Sequence, residues 1–262
     1  MVIQNSIFAK INLKEITKKE VISEKKGISA FTLKLIACLA MFIGNAIVIF
    51  SSNGYLEGFS NNCFISNLLF QGIGRIAFPI VAFLMAEKYF HTKNREKYLS
   101  VVVILAIISE VPYDLCLSGK LCDLEHQNMF FTLALGFSAM MLFEKSLKCL
   151  KKNKVLKNVV AILSVVACMS IANYIHADYS ASGVLLMFIF FITSTLTLCR
   201  DIPFVIWVVK GITQITAILD VVLFHLYNGT NGYDSKLIRI GFCLFYPMHL
   251  LVLYGLRFAI CG

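Results

Sequence analysis

The chain has 262 residues, of which 58% are hydrophobic and only 15% are charged, and its formal net charge is +9. A soluble domain of this length has too little interior to hold that much apolar side chain, and ordinary globular proteins carry about 25% charged residues. Composition therefore excludes a soluble enzyme, a disordered chain and a secreted disulfide scaffold, and it predicts an integral membrane protein.

The first 29 residues are polar, carry six lysines and contain no apolar stretch of the kind found in a signal peptide. We expect a basic cytoplasmic tail over residues 1–29 and one membrane domain over residues 30–262. Ile3, Ile7 and Ile11 are spaced as on one face of a helix. Two interpretations of the tail stay open, a short helix on the membrane surface and a loosely ordered segment.

Eight apolar segments follow the tail. Each is close to the 17–25 residues that span the hydrocarbon core as a helix, and a helix is required because unpaired backbone groups find no partner in lipid. The sequence therefore predicts an all-α polytopic membrane protein with about eight transmembrane helices. The segments are 30–50, 64–87, 98–118, 128–144, 158–175, 182–199, 203–227 and 238–259.

Basic residues are divided unequally between the connections. With the N-terminus inside, the inner connections hold seventeen lysines and arginines and the outer ones hold two. Cytoplasmic connections carry the excess of positive charge in membrane proteins, so this asymmetry predicts that both termini are cytoplasmic. It also accounts for the net positive charge without a nucleic-acid partner. The inner connections are 1–29, 88–97, 145–157 and 200–202.

Charged residues inside the apolar segments are costly unless they are paired or face water. Arg75 lies near the middle of the second segment, and both a structural ion pair and a functional role are open for it. Glu110 and Asp114 are four residues apart in the third segment, which places both carboxylates on one helix face. We expect Arg75 and this acidic face to line one polar cavity.

Further polar residues fall in the central and outer layers of the predicted bundle. A lone histidine in a helix is more often a packed, hydrogen-bonded residue than a catalyst, but several polar groups from different segments at one depth favour a common cavity. These residues are Gln127, Asn128, His176, Asp178, Tyr179, Asp220 and His249.

The predicted inner connections are basic, and one of them contains His91, Lys93 and Arg95. Two interpretations are open, attraction to anionic lipid and a docking surface for a polyanionic ligand such as a nucleotide or coenzyme A. The sequence has no P-loop, so a nucleotide-hydrolysing site has no support.

Nine cysteines occur singly, without a C-x-x-C pair or the Cys/His spacing of a metal site, so no metal is expected. Cys63, Cys116 and Cys122 fall near the predicted outer surface, and whether they form a disulfide stays open.

Several motifs in order resemble the TraX family, membrane proteins named for a conjugative pilin N-acetylase. The resemblance extends over most of residues 32–257. The motifs are Gly74-Arg75-Ile76-Ala77-Phe78-Pro79, His91-Thr92-Lys93-Asn94-Arg95, Ser109-Glu110-Val111-Pro112-Tyr113-Asp114-Leu115, Gln127-Asn128-Met129-Phe130-Phe131-Thr132, Ala177-Asp178-Tyr179 and Phe245-Tyr246-Pro247-Met248-His249-Leu250.

The resemblance implies acetyl transfer in a bacterial cell membrane, with acetyl-CoA as co-substrate and an N-terminal amine of a protein or peptide as acceptor. A pilin-like acceptor is one possibility, and the sequence does not identify which protein or peptide it is. In this hypothesis the catalytic group consists of a general base, an oxyanion partner and two orienting carboxylates, namely His249, Arg75, Glu110 and Asp114. The acceptor side is formed by Asn45, Gln127, Asn128, Asp178 and Tyr246. The coenzyme phosphates are bound by His91, Lys93 and Arg95.

One position departs from the family pattern. Members usually carry an Asp-His pair where this chain has Gly44-Asn45. A histidine there is a natural general base, whereas an asparagine cannot accept a proton at neutral pH. The alternative hypothesis is therefore a non-catalytic membrane protein on the same scaffold, either a partner in a peptide-processing system or a permease.

Overall fold

The computed structural model describes residues 27–52, 64–149, 154–196 and 217–261, and within these ranges it is an all-α protein. The predicted tail therefore lies almost entirely outside the described residues, as does most of the seventh apolar segment. The described helices are α1 (Ala30–Ser52), α2 (Phe64–His91), α3 (Arg95–Leu117), α4 (Met129–Cys149), α5 (Lys154–Tyr174), α6 (Ser180–Leu196), α7 (Ala217–Leu226) and α8 (Lys236–Cys261).

Five of the described helices, α1, α3, α4, α5 and α8, are long and apolar enough to cross a membrane. Helix α6 contributes a shorter apolar stretch, Ser180–Ser194. Their outward faces carry exposed leucine, isoleucine and valine, which is the surface that a lipid solvent requires. The prediction of an all-α, multi-pass membrane protein is confirmed.

Polar side chains mark where several helices begin. The side chain of Asn94 accepts a hydrogen bond from the backbone N–H of Lys97 at 2.9 Å, which caps the start of α3. Asn128 caps α4 in the same way through the N–H of Phe130, at 3.0 Å. Ser235 does so for α8. These caps fix where the chain enters the bundle and where it turns.

The bundle has two ends with different chemistry. We call the end that carries the turn 92–94 and the segment 227–235 the basic end, because the lysine-rich connections lie there. The opposite end, which carries the segments 118–128 and 175–179, is the far end; its two segments are joined by a bridge between Gln127 and Ala177.

The last part of the chain follows a course that differs from the prediction. Backbone hydrogen bonds join Ile28 to Leu226 (2.9 Å) and Asn228 (3.0 Å), so α7 ends at the basic end, beside the start of α1. Helix α8 begins there and runs to the far end, where the guanidinium of Arg257 donates to the carbonyl of Cys116 at 3.2 Å.

This course places the two described chain ends at opposite ends of the bundle. The described residues therefore do not confirm the predicted eight crossings or the predicted location of both termini on one side. Counting basic residues does not detect this difference in course, because the connection 228–237 carries only Lys236. Moving one lysine between sides leaves the asymmetry almost unchanged.

Helices α1 and α2 cross at a pair of glycines. A Cβ atom added to Gly44 would collide with the Cα atom of Gly74, so the two backbones are in direct contact. Only glycine at both positions permits this approach, which fixes the depth of the residues that follow, Asn45 on α1 and Arg75 on α2.

Candidate functional site

His249 lies inside the bundle near the middle of α8, with 4% of its surface exposed. Its Nε2 atom is 2.9 Å from the amide nitrogen of Asn45 on α1. Its Nδ1 atom is 3.0 Å from the backbone carbonyl oxygen of Phe245, one turn earlier on α8. Both ring nitrogens are therefore hydrogen-bonded, and the residue standing at the departure from the family pattern is a direct partner of the predicted base.

Aromatic rings hold the imidazole in place. The Phe245 ring stacks on it with the centroids 4.9 Å apart and the planes 8° apart, and Tyr246 contacts it at 65°. Tyr246 is itself buried and packs edge-on against Phe130 of α4, at 5.0 Å. The ring of Tyr246, a predicted acceptor-side residue, thus packs between His249 and α4 and restricts the imidazole to one orientation.

Four of the predicted site residues occupy one layer of the bundle. At 1.5 Å per helical residue, Asn45 and Glu110 lie about 22 Å from the basic end of their helices, His249 lies about 20 Å from it and Arg75 about 24 Å. The sequence-based expectation that polar groups from different helices share a depth agrees with this placement.

Arg75 follows the glycine contact and has an exposed side chain. Its charge acts on two residues of the far-end segment 175–179, Asp178 and Tyr179. Burial raises the pKa of the Asp178 carboxyl to about 6, and the positive charge of Arg75 opposes this rise. The charge of Arg75 therefore favours the ionised form of Asp178.

The segment that carries Asp178 is tied to α4 and α2. The backbone N–H of Asp178 donates to the carbonyl of Gln127 at 2.8 Å, and the hydroxyl of Thr132 donates to the carbonyl of Asp178. The Tyr179 ring stacks on Phe78 at 3.9 Å, with φ of 63° at Tyr179. This strained turn fixes the segment that carries Asp178 against α2 and α4.

Glu110 and Asp114 share a face of α3, as predicted, but each binds a different group. One Glu110 oxygen accepts hydrogen bonds from the side-chain amide and the backbone N–H of Asn128. Asp114 accepts from the backbone N–H of Asp123 at 2.8 Å. The expectation that one of these carboxylates orients His249 is therefore wrong. Asn45 and a backbone carbonyl do so instead.

The three predicted coenzyme-binding residues separate at the basic end. His91 and Lys93 are exposed, whereas Arg95 is bound to Glu144 at 2.6 Å and stacks over the ring of Tyr89 at 4.0 Å. Arg95 also donates to the Tyr89 carbonyl at 3.2 Å. The guanidinium thus fixes the turn that presents His91 and Lys93.

Sequence reasoning missed the centre of this basic-end cluster. Glu144 is almost fully buried and binds Arg95, Lys148 and the hydroxyl of Tyr89. The available signal was an acidic residue at the end of the predicted segment 128–144, directly before the lysine-rich connection 145–157. Spacing along the sequence does not show that Tyr89 and Arg95 meet it from two other helices.

Several buried polar atoms in the described part of the chain have no hydrogen-bond partner. Neither carboxylate oxygen of Asp220 has a hydrogen-bond partner in the described part of the chain, and the same holds for Glu110 Oε1 and the Ser109 hydroxyl.

Cys116 is buried and Cys122 is exposed, and both are free thiols, while Cys63 lies outside the described residues. Across the described ranges, no three His, Cys, Asp or Glu side chains are grouped so that they could hold a metal ion.

Comparisons with known proteins agree with the motifs. The family described as "TraX protein" matches residues 29–257. The chain is similar to the "Probable fimbrial assembly protein FimC, serogroup H1" of Dichelobacter nodosus, with 27% identity over 251 residues that cover 86% of this chain and 94% of that protein. No solved structure matches.

Proposed function

The chain belongs to the TraX family, and we propose that it is a membrane-embedded acyltransferase that moves acetyl from acetyl-CoA to an N-terminal amine of a protein or peptide. The observation that carries the proposal is the buried imidazole of His249, fixed at both nitrogens in the same layer as Arg75 and Glu110. A rigid base in a layer of polar groups is the arrangement that general-base catalysis needs.

His249 takes the proton in the proposed reaction. The acceptor amine attacks the carbonyl carbon of the acetyl thioester, a C–N bond forms, the C–S bond breaks, and the amine proton passes to Nε2 of His249. Arg75 stabilises the negative charge that develops on the carbonyl oxygen. Coenzyme A leaves as the thiol after it receives the proton.

The basic end supplies the proposed site for the coenzyme. His91 and Lys93 are exposed there and face the compartment that the positive-inside rule assigns to the cytoplasm. Arg95 takes a different role from the one expected, because its ion pair with Glu144 commits it to holding the turn. We assign phosphate binding to His91 and Lys93, and positioning to Arg95.

The far end supplies the proposed acceptor side. Gln127, Asn128 and Asp178 lie there, on the turn that leads into α4 and on the segment bridged to it. The relative from Dichelobacter is named for fimbrial assembly. We therefore propose a pilin-like acceptor for this chain, in the cell membrane of a bacterium.

One observation favours a second candidate, a non-catalytic partner or permease on the same scaffold. The amide nitrogen of Asn45 is hydrogen-bonded to Nε2 of His249. A catalytic base must have Nε2 accessible to the amine from which it takes the proton. In the first proposal the acceptor amine displaces Asn45, whereas in the second the nitrogen stays capped.

Release of free coenzyme A separates the two. We expect purified protein in detergent, given acetyl-CoA and an amine-bearing peptide, to release coenzyme A and acetylate the peptide. His249→Ala should lower the rate by roughly 10²–10⁴-fold. His225→Ala, at an exposed histidine of α7, should leave it unchanged. Full activity of His249→Ala disproves the base assignment, and no release by the wild type disproves the transferase.

A further inference from the structure

The two partners of His249 limit its protonation states in different ways. A backbone carbonyl only accepts, so Nδ1 carries a proton that it donates to Phe245 whether the ring is neutral or charged. The two protonation states therefore differ only at Nε2. This atom carries a lone pair in the neutral ring and a hydrogen in the imidazolium.

Asn45 offers both kinds of partner to that single atom. Its amide nitrogen donates to a lone pair, and its amide oxygen accepts from an N–H. Rotation of the amide by about 180° about the last side-chain bond exchanges the two without moving the backbone. The backbone itself is held, because Gly44 is in contact with Gly74.

We propose that Asn45 is a positioning residue whose amide turns with the proton on His249, with nitrogen toward Nε2 in the neutral ring and oxygen toward Nε2 in the imidazolium. The inference rests on the proposed function only for its catalytic use. The pairing itself follows from the geometry of the two side chains.

The surroundings of His249 explain why such a partner is needed. Helix α8 packs against α1 and α3. The titratable groups of these helices that act on residues of α8 are Lys34 on α1 and Tyr98, Tyr113 and Cys116 on α3, and Cys38, Glu110 and Asp114 lie on the same two helices. Asp178 and Tyr179 of the far-end segment act on Tyr246 of α8 as well. His249 is buried, and its hydrogen bonds and ring contacts are with Asn45, Phe245 and Tyr246, which are uncharged. An imidazolium at this site thus depends on neutral oxygens for both of its N–H groups.

In the reaction, the amine proton leaves nitrogen and forms the Nε2–H bond of His249. The acceptor then moves away and Asn45 returns with its oxygen toward that N–H. When the proton passes on to the coenzyme A thiolate, the amide turns back. No atom or electron is left over, and the base has a hydrogen-bond partner in both resting states.

Nuclear magnetic resonance of the full-length protein in detergent tests the pairing without any need for activity. The probes are ¹⁵N labels in the histidine ring and in the asparagine side-chain amide, assigned by their loss in His249→Ala and Asn45→Leu. The measurement is the imidazolium fraction of His249 and the Asn45 amide shift across pH 4–9. We expect the two signals in the wild type to change together with one midpoint.

Two variants give opposite expectations. Asn45→Asp, which offers only oxygens and a charge, should increase the imidazolium fraction at a given pH and displace its midpoint by about 1–3 pH units. Asn45→Leu, of similar size and without polar atoms, should decrease that fraction. Asn158→Asp, at an exposed position on α5, adds the same charge elsewhere and should reproduce the wild-type titration.

Three results overturn the inference. One is a His249 titration during which the Asn45 amide signal stays constant, one is a ring that stays neutral across the whole range, and one is an Asn45→Leu titration identical to the wild type. If Asn45→Asp does not accumulate, the wild type and Asn45→Leu decide alone. Each result stands whether or not the protein transfers acetyl, so a failure of the pairing is distinguished from a failure of the proposed function.

Discussion

Glu144 at the basic end and Glu110 toward the far end are two glutamates on membrane helices with contrasting surroundings. Both Glu144 oxygens are bound, to Arg95, Lys148 and Tyr89. Glu110 binds Asn128 through one oxygen, and its other oxygen has no partner in the described part of the chain. A buried carboxylate with all its partners holds helices together, whereas one with a lone pair unused keeps a place for a ligand.

The contrast extends from these two residues to the ends themselves. At the basic end, cations outnumber carboxylates, and Arg95 has a fixed structural partner. Toward the far end, carboxylates meet amides and backbone N–H groups, and the positive charge of Arg75 on α2 acts on Asp178. We infer that the cluster of Glu144, Arg95, Lys148 and Tyr89 at the basic end serves stability and that the far-end residues serve chemistry.

The first prediction concerns which side of the membrane each end of the bundle faces, and cysteine labelling should give an all-or-none result. In a variant without native cysteines, Thr230→Cys at the basic end should not react with a membrane-impermeant thiol reagent added to intact cells. Leu121→Cys at the far end should react fully, since both positions are exposed in the structure. Reaction of both cysteines from outside contradicts the placement of the segment 227–235 at the cytoplasmic surface.

The side on which the connection 228–237 lies is a feature that the sequence does not determine. Hydropathy predicted where the helices lie, and the positive-inside rule predicted the orientation of the bundle, because both signals are summed over many residues. The connection 228–237 holds one lysine, and its location is fixed instead by backbone hydrogen bonds to Ile28, Ala30 and Phe31. Pairings between residues 200 positions apart leave no pattern in composition.

The site shows the same limit. Depth along each helix placed Asn45, His249, Arg75 and Glu110 in one layer, since helical rise is constant. Helix rotation decides which of them touch, and it is fixed by packing, such as the contact between Gly44 and Gly74. Sequence analysis therefore grouped Arg75, Glu110 and His249 by depth, but it did not predict that His249 binds Asn45 and no carboxylate.

The next largest effect concerns Arg75. Arg75→Leu should lower acetyl transfer by about 10²–10³-fold, as for the loss of one donor to a developing oxyanion, while the unfolding temperature stays close to that of the wild type. Arg95→Leu is the matched control, because it removes the structural arginine. It should lower the unfolding temperature first, and activity only as the folded fraction falls. If Arg75→Leu and Arg95→Leu lower the unfolding temperature equally, the inference that Arg95 serves stability and Arg75 serves chemistry is wrong.

The third effect is on stability alone. Glu144→Gln keeps the hydrogen bond to Tyr89 but removes the charge that binds Arg95 and Lys148, both of which are partly exposed. We expect a loss of about 1.5–3 kcal/mol in the free energy of unfolding, measured by denaturant titration in detergent. Glu96→Gln, an exposed glutamate in the first turn of α3, should change it by less than about 0.5 kcal/mol. If Glu144→Gln is as stable as the wild type, the cluster does not hold the helices.

The smallest effect is a pH dependence that reports on the far end. Burial raises the pKa of Asp178 from 3.8 to about 6, so the folded protein holds this proton more tightly than the unfolded chain does. The resulting stabilisation is complete below about pH 4 and is lost as pH rises to about 6. It amounts to about 1 kcal/mol, because the side chain is only partly removed from solvent. Asp178→Asn should abolish this fall in stability.

Two further variants decide whether Arg75 faces Asp178. Removing the opposing positive charge by Arg75→Leu should raise the pKa of Asp178 further, and the stability should then go on falling to a pH above 6. Asp123→Asn is the matched control, because the backbone N–H of Glu125 lowers the pKa of that partly buried carboxyl, so its contribution is lost only as pH falls. The fall in stability toward pH 6 should therefore persist in Asp123→Asn. If it still ends at pH 6 in Arg75→Leu, the guanidinium does not act on Asp178, and Arg75 has no place among the far-end residues.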